Sequence, residues 1–164
     1  MIRRTILASL LLTLTIFSGC GAGLITPSHH ITEEYNAAFA AASRGDLTTL
    51  RADIDSDPAL LKATEWERRT LLHDAVDKGQ LETATYLIDK GVSVDGVTSD
   101  GRTAVHMAAQ HGDIPMLTLL LSRGAKVNPS DNQGWTPLDR AVKWGHPDAA
   151  SFLRARGGHG GNTN

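Results

Sequence analysis

The sequence is poor in the residues on which disulfide-bonded, zinc-binding and nucleic-acid-binding proteins depend. The 164 residues include a single cysteine, Cys20, which excludes an intrachain disulfide and any zinc site that needs two or more cysteines. Aromatic residues make up only 5% of the chain, which argues against a large aromatic-rich β core. The 16 Lys and Arg residues are matched by 18 Asp and Glu residues, so nucleic acid is not an expected partner.

A hydrophobic run long enough to cross a membrane is also missing. Residues 6–17 form an apolar run interrupted only by Ser and Thr, and Arg3 and Arg4 precede it. A bilayer-spanning helix needs about 20 apolar residues. A shorter apolar core behind positive residues is instead typical of a secretory signal peptide, which we predict over residues 1–19.

The end of this run carries a motif at residues 17–20, which read Phe-Ser-Gly-Cys. It resembles the bacterial lipobox, with Phe where that motif usually has Leu. The resemblance implies a lipid anchor on Cys20 and, because Gly21 is not Asp, sorting to the outer membrane, facing the periplasm. The alternative is ordinary cleavage nearby, for instance after Ala22, which would release a soluble periplasmic or secreted protein. Residues 20–30 are predicted to form a flexible tether.

The rest of the chain repeats itself at a constant spacing. Blocks that begin with threonine read Thr-Leu-Leu-His-Asp-Ala at 70–75, Thr-Ala-Val-His-Met-Ala at 103–108 and Thr-Pro-Leu-Asp-Arg-Ala at 136–141. Glycines keep the same spacing at Gly79, Gly112 and Gly145, at Gly91, Gly124 and Gly157, and at Gly101 and Gly134. These blocks resemble the ankyrin-repeat signature Thr-Pro-Leu-His-x-Ala, and their spacing matches the period of that family. A weaker copy at 36–41 has Phe39 at the histidine position.

The resemblance to ankyrin repeats implies an all-α solenoid of four helix-turn-helix repeats with β-turn loops. A single repeat cannot bury its own apolar face, so several must stack. Ile88 and Leu121 occupy equivalent positions in the second and third repeats, and the fourth repeat has Arg154 at that position. A charged residue there is expected of a terminal, capping repeat. We place the repeats at about 31–64, 65–97, 98–130 and 131–158, within a domain spanning 31–158, and predict a disordered tail at 159–164.

Ankyrin repeats usually bind partners through their concave face, made by the turn tips and the ends of the first helices. We name the corresponding positions of this chain the docking face. It comprises Trp66, Glu67, Arg69, Asp77, Lys78, Ser99, Asp100, Arg102, Gln110, His111, Asn132, Gln133, Trp135, Lys143 and Trp144.

All three tryptophans of the chain fall in the docking face, together with four basic residues. Trp and Arg are the residues that most often anchor protein interfaces. We therefore expect an aromatic and basic surface that binds an acidic or mixed partner surface. In the alternative interpretation, one or more tryptophans cover the edge of the core.

The motifs of the common enzyme classes are missing from the sequence. There is no Ser-centred nucleophile elbow, Gly-rich phosphate loop or His-Glu metal helix, so we predict no catalytic, metal or cofactor site. His73 and His106 lie inside the repeat signature and are expected to form hydrogen bonds between repeats.

The predicted function is that of a monomeric protein-binding lipoprotein of the bacterial envelope, acting as an adaptor, an accessory or an inhibitor of a partner protein. One alternative is an immunity protein that neutralises a toxin or effector enzyme. Another is a small-ligand-binding or enzymatic protein that uses the concave groove.

Overall fold

The computed structural model describes residues 33–161, which form eight α-helices and no strand. The helices are α1 (Glu33–Arg44), α2 (Leu47–Ser56), α3 (Leu71–Asp77), α4 (Leu81–Asp89), α5 (Ala104–His111), α6 (Ile114–Ser122), α7 (Pro137–Lys143) and α8 (Pro147–Ala155). Short 3₁₀ helices at Pro58–Lys62 and Trp66–Arg68 join α2 to α3. The predicted all-α repeat solenoid is confirmed. The predicted signal peptide, Cys20 and the predicted tether lie outside the described residues.

The helices form two layers. The first helices of the repeats, α1, α3, α5 and α7, pack side by side in sequence order, and each also packs on the second helix of its own repeat. Small residues allow this close approach, because Ala41, Ala75, Ala108 and Ala141 are all fully buried. Among the described residues, no helix is long and apolar enough to cross a membrane.

The threonine of each signature block begins a first helix through the same local structure. The backbone N–H groups of Thr70 and Thr103 donate to Nδ1 of His73 and His106, each over 3.1 Å. Since Nδ1 accepts, the proton lies on Nε2, which can donate to a carbonyl of the following segment. His73 Nε2 lies 3.1 Å from the oxygen of Gly96, and His106 Nε2 lies 3.0 Å from that of Trp135. The His106 contact joins the third repeat to the fourth, as predicted, whereas the His73 contact reaches Gly96 at the end of its own repeat.

The two departures from the histidine position have simple explanations. In the fourth repeat, the carboxylate of Asp139 accepts from the backbone N–H of Thr136 over 2.8 Å and so caps α7 as histidine caps α3 and α5. In the first repeat, Phe39 is only 2% exposed and belongs to the core. Its aromatic ring supplies apolar packing where the other repeats have a polar link.

Residues 159–161, the first part of the predicted tail, form hydrogen bonds with the fourth repeat and the loop before it. The backbone N–H of His159 donates to Oδ1 of Asn128 over 3.0 Å, and that of Gly161 donates to Oδ2 of Asp139 over 2.8 Å. The Asn128 contact has an equivalent in the preceding repeat, where the N–H of Lys126 donates to Oδ1 of Asp95. The glycine-rich segment thus takes the position that the loop between repeats takes one repeat earlier. Its glycine-rich composition did not predict this order.

Candidate protein-binding surface

The turn tips of the docking face are joined by hydrogen bonds between repeats. The backbone N–H of Ser99 donates to the oxygen of Glu67 over 2.6 Å, and that of Asn132 donates to the oxygen of Asp100 over 3.0 Å. The side-chain amide of Asn132 also donates to the oxygen of Ser99 over 2.9 Å. The structure therefore brings the predicted tip residues of three repeats into one continuous edge.

The second and third repeats also meet at the ends of their first helices. Asp77, at the end of α3, has its carboxylate 3.2 Å from Nε2 of His111, at the end of α5. The same carboxylate lies 3.3 Å from the ammonium of Lys78 and 3.6 Å from the guanidinium of Arg69. Partial burial alone would raise the pKa of Asp77, but the His111 hydrogen bond and the two cations hold it below its usual value.

The basic side chains of these two repeats are neutralised by neighbouring carboxylates. Arg69 Nε lies 2.8 Å from Oδ1 of Asp74, and Arg102 Nε lies 2.6 Å from Oδ2 of Asp100. Together with the Lys78 contact, these pairs offset three of the four basic charges that we expected to make the surface positive. The expectation of a basic surface across all three repeats is therefore corrected: the charges of the second and third repeats alternate in sign.

The fourth repeat carries a compact aromatic cluster. The rings of Trp135 and Trp144 lie 6.2 Å apart, centroid to centroid, in an edge-to-face arrangement with an interplanar angle of 72°. The ammonium of Lys143 lies 3.9 Å from the centroid of Trp135 and 5.0 Å from that of Trp144. Such cation–π contacts hold a flexible lysine in place beside the rings.

The exposure of the tryptophans distinguishes the two interpretations of them. Trp66 is 83% exposed at its turn tip and Trp144 is 41% exposed, so neither covers the core. Trp135 is half-buried, and its ring lies 5.2 Å from the guanidinium of Arg140. The surface interpretation therefore fits Trp66 and Trp144, whereas Trp135 is partly a packing residue.

Sequence reasoning missed the buried ion pair that supports this cluster. Arg140 donates from Nη2 and Nε to Oδ2 of Asp131 over 2.5 and 3.2 Å, and both residues are buried. Oδ1 of Asp131 accepts the backbone N–H groups of Gln133 and Trp135. Burial tends to raise the pKa of Asp131, but the Arg140 and backbone hydrogen bonds hold it below its usual value. No spacing rule predicts this pair.

The fold and this surface define a class of protein: a helical repeat solenoid that presents an extended edge of stacked turns and helix ends. The family model for ankyrin repeats, with three copies, matches residues 72–164. This match covers more than half of the chain, which therefore belongs to the ankyrin-repeat family, as the threonine blocks predicted. Ankyrin repeats imply protein binding and are generally non-catalytic.

Two curated rice proteins are similar over part of the chain. One is named Probable E3 ubiquitin-protein ligase XBOS31, from Oryza sativa subsp. japonica, and is 42% identical over 65 residues. The other is E3 ubiquitin-protein ligase XB3 from the same organism, 38% identical over 60 residues. The matches cover 39% and 36% of this chain, but only 14% and 13% of the two relatives.

Proposed function

We propose that this chain binds a partner protein through the docking face, with the fourth repeat as the main anchor. The observation that carries this proposal is the pair Trp135 and Trp144, held 6.2 Å apart at the surface with Lys143 against both rings. Interface hot spots are enriched in tryptophan and in preorganised side chains, because little conformational entropy is lost when they bind.

The size and charge of the docking face indicate the kind of partner surface that fits it. A standard interface buries about 800 Å² on each side, which three adjacent repeats can supply. Alternating charges such as Asp100 beside Arg102 suit a partner of mixed charge. The exposed indole of Trp66, at the far end of the same edge, offers a second apolar contact.

We further propose that the protein acts in the bacterial envelope, anchored by lipid on Cys20, as an adaptor, accessory or inhibitor. The support for this is the sequence of residues 1–20 alone. Expression of the wild type and Cys20→Ser in a bacterial host, with radiolabelled fatty acid, tests the anchor. Label and membrane association should be lost in Cys20→Ser only; a labelled variant, or an unlabelled wild type, contradicts the anchor.

The ligase activity in the names of the two rice relatives is not proposed for this chain, because the matches span only 14% and 13% of those proteins. Binding can serve several roles, and fold alone does not distinguish them. If a captured partner is a hydrolase that loses its activity in the complex, the role is inhibition. If its activity is unchanged, the role is that of an accessory or adaptor.

A crosslinked pull-down from envelope extracts tests the docking face. The bait is the wild type beside the double variant Trp135→Ala/Trp144→Ala, with circular dichroism to verify folding. Phe152→Ala is a matched control, because Phe152 is also an aromatic ring beside a cation in the fourth repeat but lies on α8. Capture by the wild type and the control, with loss in the double variant, supports the proposal. Equal capture by all three contradicts it.

A further inference from the structure

The face of α7 that points away from the third repeat carries an exposed apolar residue. Val142 is 56% exposed, whereas the equivalent residues of the two preceding repeats, Val76 and Ala109, are 1% and 0% exposed. The first helix of each preceding repeat packs on that of the next, α3 on α5 and α5 on α7. Within the described residues, no such helix follows α7, and this accounts for the exposure of Val142.

A groove of about 480 Å³ lies on this uncovered face, and we name it the end groove. Its lining residues are Trp135, Leu138, Asp139, Val142, Lys143, Arg154 and Gly160. A smaller depression of about 190 Å³ adjoins it and shares Val142 and Arg154. The larger volume falls within the range of about 300–1,000 Å³ that is typical of ligand sites. It has room for a few side chains of a bound segment.

The wall formed by Gly160 is held by specific hydrogen bonds. The hydroxyl of Thr136 donates to the oxygen of His159 over 2.8 Å, and the N–H of Gly161 donates to Oδ2 of Asp139. The segment thereby follows the path that a loop takes between successive repeats. The end groove is thus a built feature of the fourth repeat, with α7 and α8 opposite a backbone held by hydrogen bonds.

The charges of the end groove are unequal. The carboxylate of Asp139 already accepts from the N–H of Thr136 and from the N–H of Gly161. Lys143 and Arg154 form no ion pair with any carboxylate whose side chain the structure describes. The groove therefore offers two uncompensated cations beside an apolar floor.

We propose that the end groove binds an acidic peptide segment of a partner protein. Its carboxylates would pair with Lys143 and Arg154, and an aliphatic side chain would lie on Leu138 and Val142. This inference rests on the proposed protein-binding function, but it uses the uncovered face of α7 as well as the docking face.

The experiment is a titration of the full chain with three capped synthetic peptides, followed by NMR of the Trp135 indole N–H and the Val142 methyl groups. The first peptide alternates glutamate with leucine, the second alternates lysine with leucine, and the third alternates glutamate with serine. The first should shift both signals and bind at least about tenfold more tightly than either of the others, because only it matches both charge and apolar floor.

Two groove variants have matched controls. Arg154→Glu is paired with Arg156→Glu, which makes the same charge change at the same helix end but outside the groove lining. Val142→Asp is paired with Val97→Asp, another exposed valine. The groove variants should weaken binding of the first peptide by about tenfold, since each places a like charge against its carboxylates, and the controls should leave it within about twofold.

Equal binding of the lysine peptide, or equal loss in groove variants and controls, overturns the inference. So does binding that leaves the Trp135 and Val142 signals unshifted. This assay uses no cellular partner, so its failure leaves the pull-down result intact. Conversely, a pull-down that fails while the glutamate–leucine peptide binds the groove overturns the docking-face proposal only.

Discussion

Acidification should destabilise the repeat stack through His73, a buried histidine of the second repeat. This histidine is 1% exposed, its Nδ1 accepts the N–H of Thr70, and its Nε2 lies 3.1 Å from the oxygen of Gly96. Burial lowers its pKa from 6.5 to about 4, against the opposing hydrogen bond to Gly96 and with a small contribution from the charge of Arg69. The folded state therefore requires a neutral ring where the unfolded chain takes up a proton.

The sign and size of the effect follow from proton linkage. Between pH 6.5 and 4 the unfolded state binds more protons at this position, so the free energy of unfolding falls as the pH falls. The stability that depends on neutral His73 is retained above pH 6.5. The free energy of unfolding is lower by about 2 kcal/mol at pH 5 and by about 3 kcal/mol at pH 4. Burial lowers the pKa of His106 too, which adds a loss of the same sign.

Four aspartates with lowered pKa values act in a lower pH range. Asp77, Asp100, Asp131 and Asp139 have pKa values held below the ordinary 3.8. The stability that they contribute is present above that value and is lost only as the pH falls through their lower folded-state values. These four aspartates therefore contribute little to the change in stability between pH 7 and pH 5.

Urea denaturation followed by circular dichroism at pH 7, 6 and 5 measures this effect. His73→Gln should be less stable than the wild type at pH 7, but its stability should fall by about 2 kcal/mol less on going to pH 5. Val105→Ala is the control, because Val105 is buried in the same core but carries no titratable group, so this substitution should lower stability at every pH without changing its pH dependence. Equal losses of stability in wild type and His73→Gln between pH 7 and pH 5 would refute the role assigned to the buried ring.

Three further substitutions test the turns and the buried pair, each by urea denaturation. Gly101→Ala should lower the free energy of unfolding by about 2 kcal/mol, because Gly101 has φ +80° and a Cβ there would lie 2.8 Å from the backbone nitrogen of Asn132. Gly124→Ala should lower it by less, because Gly124 has φ +87° but no heavy atom within 4 Å of the added Cβ. Arg68→Gly should stabilise by about 1 kcal/mol, since Arg68 has φ +58° where later repeats have glycine; unchanged stability would contradict this. Arg140→Met should lower the free energy of unfolding by about 3 kcal/mol, because it leaves the Asp131 carboxylate buried without its ion-pair partner. The same change should shift the tryptophan fluorescence. A decrease in stability below about 1 kcal/mol would contradict the importance of this ion pair.

The repeat architecture was readable from the sequence because every repeat must present the same contacts to the next one. Thr70, Thr103 and Thr136 begin equivalent helices, and the histidines that follow the first two form equivalent hydrogen bonds. A requirement that recurs in every repeat leaves the same residue types at the same spacing. The period therefore determined the helix pairs, the turns between them and the line of positions that became the docking face.

The tertiary structure alone decided which of those positions carry free charge and which surfaces stay open. Arg69 and Arg102 looked like free cations in the sequence, but each is paired with a nearby aspartate. The ion pair of Asp131 with Arg140, and the exposure of Val142, likewise have no counterpart in the period. A period sets the backbone register, whereas ion pairs depend on side-chain conformations and distances of a few ångströms. Exposure depends on which neighbour covers a face, and that is a property of the assembled stack.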